Sequence, residues 1–261
     1  MSVILEAENL GISFGGVKAV DGVSFRAEAG RILAIIGPNG AGKTTLFNMV
    51  SGVYLPKAGA VRLGGEDVAG MEPHALAARG LSRSFQNLQI FFRMTAAENV
   101  MVGRHRHEAR GVLAHLLALP SVARQNRATR AKALELLDVV GLREQADIPA
   151  GSLPYGALKR LEIARALATE PRVLLLDEPA AGCNPVETEE LDQVIQQIAQ
   201  SGVAVVLVEH DMKLVMKISS RILVLDHGKP LAEGTPAEVR AHPDVIRAYL
   251  GSHGAREAAG V

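Results

Sequence analysis

The run Gly37-Pro-Asn-Gly-Ala-Gly-Lys43-Thr44 restricts what this chain can fold into more than any other part of the sequence. It follows a short apolar segment at 31–36 and opens a segment with helical spacing at 43–50. In this pattern, backbone N–H groups and a helix N-terminus surround phosphates, the lysine reaches the β and γ phosphates, and the hydroxyl binds Mg²⁺. A chance match in a chain of this length is on the order of one in a hundred by average residue usage. We therefore predict a nucleotide phosphate loop made of Gly37, Pro38, Asn39, Gly40, Ala41, Gly42, Lys43, Thr44 and Thr45.

A second chemical signal is the pair of acids that ends the apolar segment Val173-Leu-Leu-Leu-Asp177-Glu178. Such acids often only cap the next turn, so the pair alone would be a weak signal. Beside a phosphate loop it is a strong one, because one carboxylate can face Mg²⁺ while the other meets the attacking water. We predict that Asp177 holds the metal together with Thr44, and that Glu178 is the general base.

The apolar segments predict an α/β fold with a parallel core sheet. The composition is 48% hydrophobic and only 3% aromatic, so the core must be aliphatic, which suits buried parallel strands. Alternating residues at 4–14 and 23–27 predict an antiparallel portion near the N-terminus. The core strands are predicted at 31–36, 173–176, 204–208 and 222–225, with a helix over 188–200 and a hairpin turn at 226–229.

The stretch 87–165 has a different character, because its apolar residues recur with helical spacing. Helical patterns cover 98–101, 112–119 and 127–140, and Gly141 closes the last of them. We therefore predict a single domain over 1–261. Its nucleotide-binding core is 1–86 and 166–250, its helical subdomain is 87–165, and 251–261 is a flexible tail.

The segment 104–132 is basic, with seven Lys/Arg against one acid. Two interpretations are open: a solvated helical face, or a surface that lies near anionic lipid or a membrane partner.

The charge and cysteine content exclude several classes of protein. Lys+Arg and Asp+Glu are both 28, so no net field steers the chain towards nucleic acid. The single cysteine, Cys183, cannot form an intrachain disulfide and suits a reducing compartment. The N-terminus lacks a signal-peptide pattern, and no apolar run approaches the roughly 20 residues that span a bilayer. We expect a cytoplasmic chain whose membrane role requires a partner.

Taken in order, the phosphate loop, Gln86, Leu153-Pro-Tyr-Gly156, Leu174–Glu178 and His210 resemble an ABC ATPase, a P-loop NTPase, over nearly the whole chain. The resemblance implies two subunits that face each other and sandwich two ATP molecules. It implies that Gln86 contacts Mg²⁺ and the attacking water, and that His210 contacts the γ-phosphate.

The same resemblance implies roles at two further places. Phe14 matches the aromatic residue that stacks on adenine, although an ordinary packed phenylalanine is the alternative. The loop 181–185 matches the segment that meets the opposite subunit, and Cys183 stands where the family usually has leucine. We therefore interpret Cys183 as a small apolar residue rather than a reactive thiol.

The signature segment departs from the family pattern Leu-Ser-Gly-Gly-Gln. This chain has Leu153, Pro154, Tyr155, Gly156 and Ala157 there, so the serine hydroxyl, one N–H and a side-chain amide are missing. In the family this segment binds the ATP held by the other subunit. We therefore expect a heterodimer with unequal sites, in which a different partner supplies the intact signature; a homodimer is the alternative.

Four segments narrow the resemblance to the larger of two ATPase subunits in branched-chain amino acid importers. They are Leu161-Glu-Ile-Ala-Arg165, Asp177-Glu-Pro-Ala-Ala-Gly182, Glu209-His-Asp-Met212 and Leu225-Asp-His-Gly228. The resemblance implies ATP and Mg²⁺, a second ATPase subunit, permease subunits that hold the chain at the inner face of the membrane, and an extracytoplasmic solute-binding protein. Import of urea or amides, lipopolysaccharide export, a soluble ABC ATPase and a regulatory subunit with little turnover are the alternatives.

Overall fold

The structure, a computed structural model, describes residues 2–84, 88–107 and 120–248. These residues form two compact units. The first contains 2–83, 172–178 and 198–248; the second contains residue 84 with 88–107, 120–171 and 179–197. Gln86, the predicted helix at 112–119 and the tail from 251 lie outside the described residues.

The first unit contains an antiparallel sheet with the strand order β2-β1-β4-β5. Its strands are β1 (Val3–Phe14), β2 (Val17–Glu28), β4 (Ala58–Leu63) and β5 (Glu66–Asp67). The predicted antiparallel portion is confirmed, but β2 begins six residues before the predicted start at 23. The reason is the two-residue turn Gly15-Gly16, whose φ values of 54° and 85° let the chain reverse at once.

The larger sheet of the first unit has the order β10-β9-β3-β8-β7-β6. Its strands are β3 (Ile32–Ile36), β6 (Leu81–Arg83), β7 (Val173–Asp177), β8 (Ala204–Val208), β9 (Arg221–Asp226) and β10 (Lys229–Gly234). The first five run parallel, and β10 is antiparallel to β9. Every residue of β3, β7 and β8 is buried, as the continuous apolar runs require. The predicted parallel core sheet is confirmed.

The helices of the first unit include Lys43–Val50, Pro73–Ala78, Met212–Ile218 and Pro236–Ala241. The helix Lys43–Val50 has the predicted bounds. It turns Leu46, Phe47 and Val50 into the core, which is why its apolar positions recur at helical spacing. The other three helices are short and were not predicted, since each carries less than two turns of apolar periodicity.

The second unit is mainly helical. Its helices are Ala96–Gly103, Pro120–Val139, Tyr155–Leu167 and the part of Pro185–Gln200 up to residue 197. Thr95 and Glu98 form a capping box that fixes the start of the first of these helices. No helix within the described ranges is long and apolar enough to cross a membrane.

Three cations of the basic segment 104–132 pair with acids in the second unit. The pairs are Arg104 with Glu170 at 2.9 Å, Arg130 with Asp147 at 2.7 Å and Lys132 with Glu135 at 2.7 Å. The stretch 108–119 of this segment lies outside the described residues.

Candidate nucleotide-binding site

The predicted phosphate loop connects β3 to the helix that begins at Lys43. The Ala41 N–H donates to the Pro38 carbonyl oxygen at 3.1 Å, and the Gly228 N–H donates to the Ala41 carbonyl oxygen at 3.1 Å. Gly42 precedes the helix at φ 96°, and a Cβ there would lie 2.5 Å from the Ala19 carbonyl oxygen. Only glycine fits this position. No side chain caps the helix start, so its first N–H groups can meet an anion.

The loop closes around the ammonium group of Lys43. Its Nζ donates to the carbonyl oxygens of Gly37 at 2.6 Å and Pro38 at 3.0 Å, and the residue is only 8% exposed. Burial lowers the pKa of Lys43, while the nearby carboxylates of Glu178 and Asp177 act in the opposite direction. A buried cation thus lies where the sequence pattern places phosphate.

Of the two acids predicted for the site, Asp177 is the last residue of β7 and Glu178 follows it directly. Asp177 is 4% exposed, and its Oδ2 accepts a hydrogen bond from Arg83 Nη2 at 2.8 Å. The Glu178 N–H donates to the Val208 carbonyl oxygen at 2.9 Å, which fixes the residue beside the end of β8. Its φ of 48° lies in the left-handed region and costs on the order of 1–3 kcal/mol. Such strain is a common feature of functional residues.

His210 follows β8 and lies near the second acid. Its Nδ1 is 3.9 Å from Glu178 Oε2 and 3.7 Å from Glu209 Oε2. The fully buried Glu209 accepts a hydrogen bond from the His210 backbone N–H at 3.0 Å. The structure therefore brings Lys43, Asp177, Glu178 and His210 together.

An open cavity of about 460 Å³ lies over the loop. Its lining includes Asn39–Thr45 and Glu178, together with Val17, Lys18 and Ala19 of β2 and the turn residues His227 and Gly228. Thr44 and Thr45 therefore lie at the cavity face of the loop. Phe14 is not part of this lining: it is 47% exposed and packs edge-to-face on Tyr54, with ring centroids 5.4 Å apart.

The predicted signature segment lies in the second unit, at the start of the helix Tyr155–Leu167. Pro154 is the N-cap and offers no side-chain hydrogen bond to that helix. The Gly156 N–H donates to Glu187 Oε1 at 3.1 Å, and the Tyr155 hydroxyl donates to the Ala181 carbonyl oxygen at 3.2 Å. The signature is thus tied to the loop 181–185 and to the helix that follows it.

Sequence reasoning missed several residues of this site, among them Arg83, which contacts Asp177. The available signal was only the position of this arginine three residues before Gln86, since β6 has three residues and one of them is apolar. Its contact with Asp177 spans 94 positions and could not be read from local spacing.

Comparison with known proteins shows which family the chain matches. Residues 20–181 match the family model described as ABC transporter, and residues 229–255 match the model described as Branched-chain amino acid ATP-binding cassette transporter. The chain is 49% identical to the High-affinity branched-chain amino acid transport ATP-binding protein BraF of Pseudomonas aeruginosa, over 95% of this chain and 98% of that one. It is 44% identical to the corresponding protein LivG of Escherichia coli K12, with the same coverage.

Solved structures give the same result for the fold. A crystal structure of the ADP conformation of an ATP-binding cassette of an ABC transporter superposes with a TM-score of 0.83. The two chains are 31% identical, and the alignment covers 96% of this chain and 100% of that one. The chain therefore belongs to the ABC transporter family, as one of its nucleotide-binding ATPases.

Proposed function

We propose that this chain hydrolyses MgATP to power the import of branched-chain amino acids, together with a second ATPase subunit, permease subunits and an extracytoplasmic solute-binding protein. The observation that carries the substrate class is the 49% identity to a branched-chain amino acid transport ATP-binding protein over nearly the full length of both chains. The match of residues 229–255 to a model of that transporter class supports it independently of the shared phosphate loop.

The roles of the site residues form part of this proposal. The N–H groups of the loop from Gly37 to Thr45 surround the phosphates, and the Lys43 ammonium leaves the Gly37 and Pro38 carbonyls to meet them. Phe14 supports the adenine. Glu178 accepts a proton from the attacking water, and His210 and Gln86 contact the γ-phosphate and the water.

The residues present suit Mg²⁺. This ion prefers oxygen ligands and is usually held by one or two protein groups and the nucleotide phosphates. Thr44 at the cavity and the nearly buried Asp177 supply a hydroxyl and a carboxylate, and we propose that they and Gln86 hold the ion, directly or through water. When bound, Mg²⁺ would neutralise charge on the phosphates.

The transport function is tested with the assembled complex. The tagged full-length chain is purified with its natural partners from native membranes and placed in proteoliposomes with the solute-binding protein. We expect leucine, isoleucine or valine to stimulate ATP hydrolysis several-fold, and urea or short amides to have no effect. If urea or an amide alone stimulates hydrolysis, that compound and not a branched-chain amino acid is the class of substrate. If no permease co-purifies with the chain, the transport role is contradicted.

The signature segment supports unequal sites in a heterodimer. Pro154 has neither a hydroxyl nor an N–H to offer a phosphate held by the partner. Each lost donor to phosphate charge weakens the site by roughly 1–3 kcal/mol. The site that contains Lys43 and Glu178 of this chain would instead use the partner's signature.

Restoring the hydroxyl should therefore raise hydrolysis at the weak site. Pro154→Ser is placed in the complex together with Glu178→Gln, which silences the other site. We expect the remaining hydrolysis to rise about fivefold or more, the equivalent of roughly 1 kcal/mol or more. Pro154→Ala is the matched control, since it restores the N–H without the hydroxyl and should give a smaller rise. An unchanged rate in the Pro154→Ser complex would contradict the proposal of unequal sites. Ala157 is left in place because it is buried.

A further inference from the structure

Arg83 is a buried cation that joins three parts of the nucleotide site. It is the last residue of β6, and its side chain is 8% exposed. Its Nη2 donates to Asp177 Oδ2 at 2.8 Å. Its Nη1 donates to Asn48 Oδ1 at 2.7 Å and to Ser51 Oγ at 2.8 Å. Asn48 belongs to the helix that begins at Lys43, and Ser51 follows that helix directly.

The guanidinium group is held in place from several sides. Its central carbon lies 5.6 Å from the centroid of the Phe47 ring, on the same helix as Asn48. Ser51 Oγ is itself oriented, because it donates to the Phe47 carbonyl oxygen at 2.7 Å. A planar guanidinium with several fixed donors sets the orientation of a carboxylate, which the single ammonium of a lysine cannot do.

The carboxylate that Arg83 contacts, that of Asp177, requires a fixed orientation. Asp177 is 4% exposed, so its charge is costly unless cations and hydrogen bonds compensate it. Mutation of a residue that hydrogen-bonds to a metal-binding carboxylate typically lowers metal affinity about 10- to 100-fold. Arg83 has this position relative to Asp177.

We propose that Arg83 is a positioning residue that orients the Asp177 carboxylate and thereby sets the affinity of the nucleotide site for Mg²⁺. The inference rests on the proposed function, since it assumes that Asp177 serves Mg²⁺. Arg83 also links the metal carboxylate to the strand that leads into Gln86 and to the helix that starts with the phosphate-binding lysine. A change in Arg83 therefore acts on Mg²⁺ through Asp177 and leaves the contacts of the loop with the phosphates intact.

The test measures ATP binding to the full-length chain by calorimetry, once in EDTA and then across a Mg²⁺ titration. For Arg83→Met we expect the Mg²⁺ concentration at half effect to rise about tenfold or more, while the affinity for ATP in EDTA stays within about twofold. Arg83→Lys keeps the charge and loses the planar donors, so we expect a smaller shift in the same direction. It also keeps the test valid if the methionine variant does not fold.

A matched control separates this role from a purely structural one. Arg104→Met removes another arginine with a mostly buried side chain, which pairs with Glu170 in the second unit. We expect it to lower the melting temperature without changing the Mg²⁺ dependence. If the Arg83 variants also lower only the melting temperature, or if they shift ATP affinity equally in EDTA and in Mg²⁺, the inference is overturned.

The coupling to Asp177 gives a second, independent readout. In an Asp177→Asn background, Arg83→Lys should cause no further shift in Mg²⁺ dependence, because both changes act on one interaction. Additive shifts would overturn the inference. If Asp177→Asn by itself leaves the Mg²⁺ dependence unchanged, the metal role in the proposed function fails, and this outcome is distinct from a failure of Arg83.

Discussion

Replacing Glu178 with glutamine is expected to lower steady-state ATP hydrolysis at its own site by about 10²- to 10⁴-fold, the range that a positioned general base contributes. The amide has the same shape as the carboxylate but cannot accept a proton from water. Because the Glu178 N–H is fixed by the Val208 carbonyl oxygen, the side chain of the variant should keep its place. ATP binding should change little, since the phosphate loop and Lys43 are intact.

The measurement is hydrolysis by the assembled complex, with ATP affinity determined in parallel. Glu66→Gln is a suitable control, because it makes the same chemical change at a carboxylate whose side chain is 76% exposed and lies outside the cavity lining. Its hydrolysis should equal that of the wild type. A Glu178→Gln complex that retains more than about a tenth of the rate would remove Glu178 from the role of base.

Much of the fold was predictable because its strongest signals are local. Continuous apolar runs gave the buried strands β3, β7 and β8, and glycine with a helical pattern after it gave the loop and the bounds of Lys43–Val50. Short elements such as β5 and the helix Pro73–Ala78 carry too few residues for a period to show. Their existence depends on tertiary packing.

The candidate site likewise contains residues that local motifs predict and contacts that only the fold determines. Lys43, Thr44, Asp177 and Glu178 follow from motifs, because their chemistry requires fixed spacing along the chain. The contact of Arg83 with Asp177 and that of Gly156 with Glu187 depend on chain segments that only the fold brings together. Local sequence could not assign the carboxylate that Arg83 meets, because the two residues lie 94 positions apart in the chain.

Replacing Lys43 should lower the affinity for ATP without lowering the stability of the nucleotide-free protein. In Lys43→Met we expect ATP affinity to fall by about 10- to 100-fold, because charge-assisted hydrogen bonds to phosphate are lost. Yet the nucleotide-free protein should melt at the same or a higher temperature. Burial lowers the pKa of Lys43, so at neutral pH the folded state holds a charge that the unfolded chain solvates better.

The effect of the buried Lys43 charge on stability can be checked by measuring how stability changes with pH. With its pKa lowered in the folded state, Lys43 binds fewer protons there than in the unfolded chain as pH approaches its ordinary range. Its contribution therefore makes wild-type stability rise with pH in that window, and the methionine variant should lack this rise. Lys57→Met is the matched control for affinity: this exposed lysine also donates to a backbone carbonyl, that of Ser13 at 2.8 Å, and its replacement should leave ATP affinity unchanged. Unchanged ATP affinity in Lys43→Met would contradict the placement of phosphate at the loop. A marked loss of stability with lost affinity would show instead that the ammonium mainly holds the Gly37 and Pro38 carbonyls together.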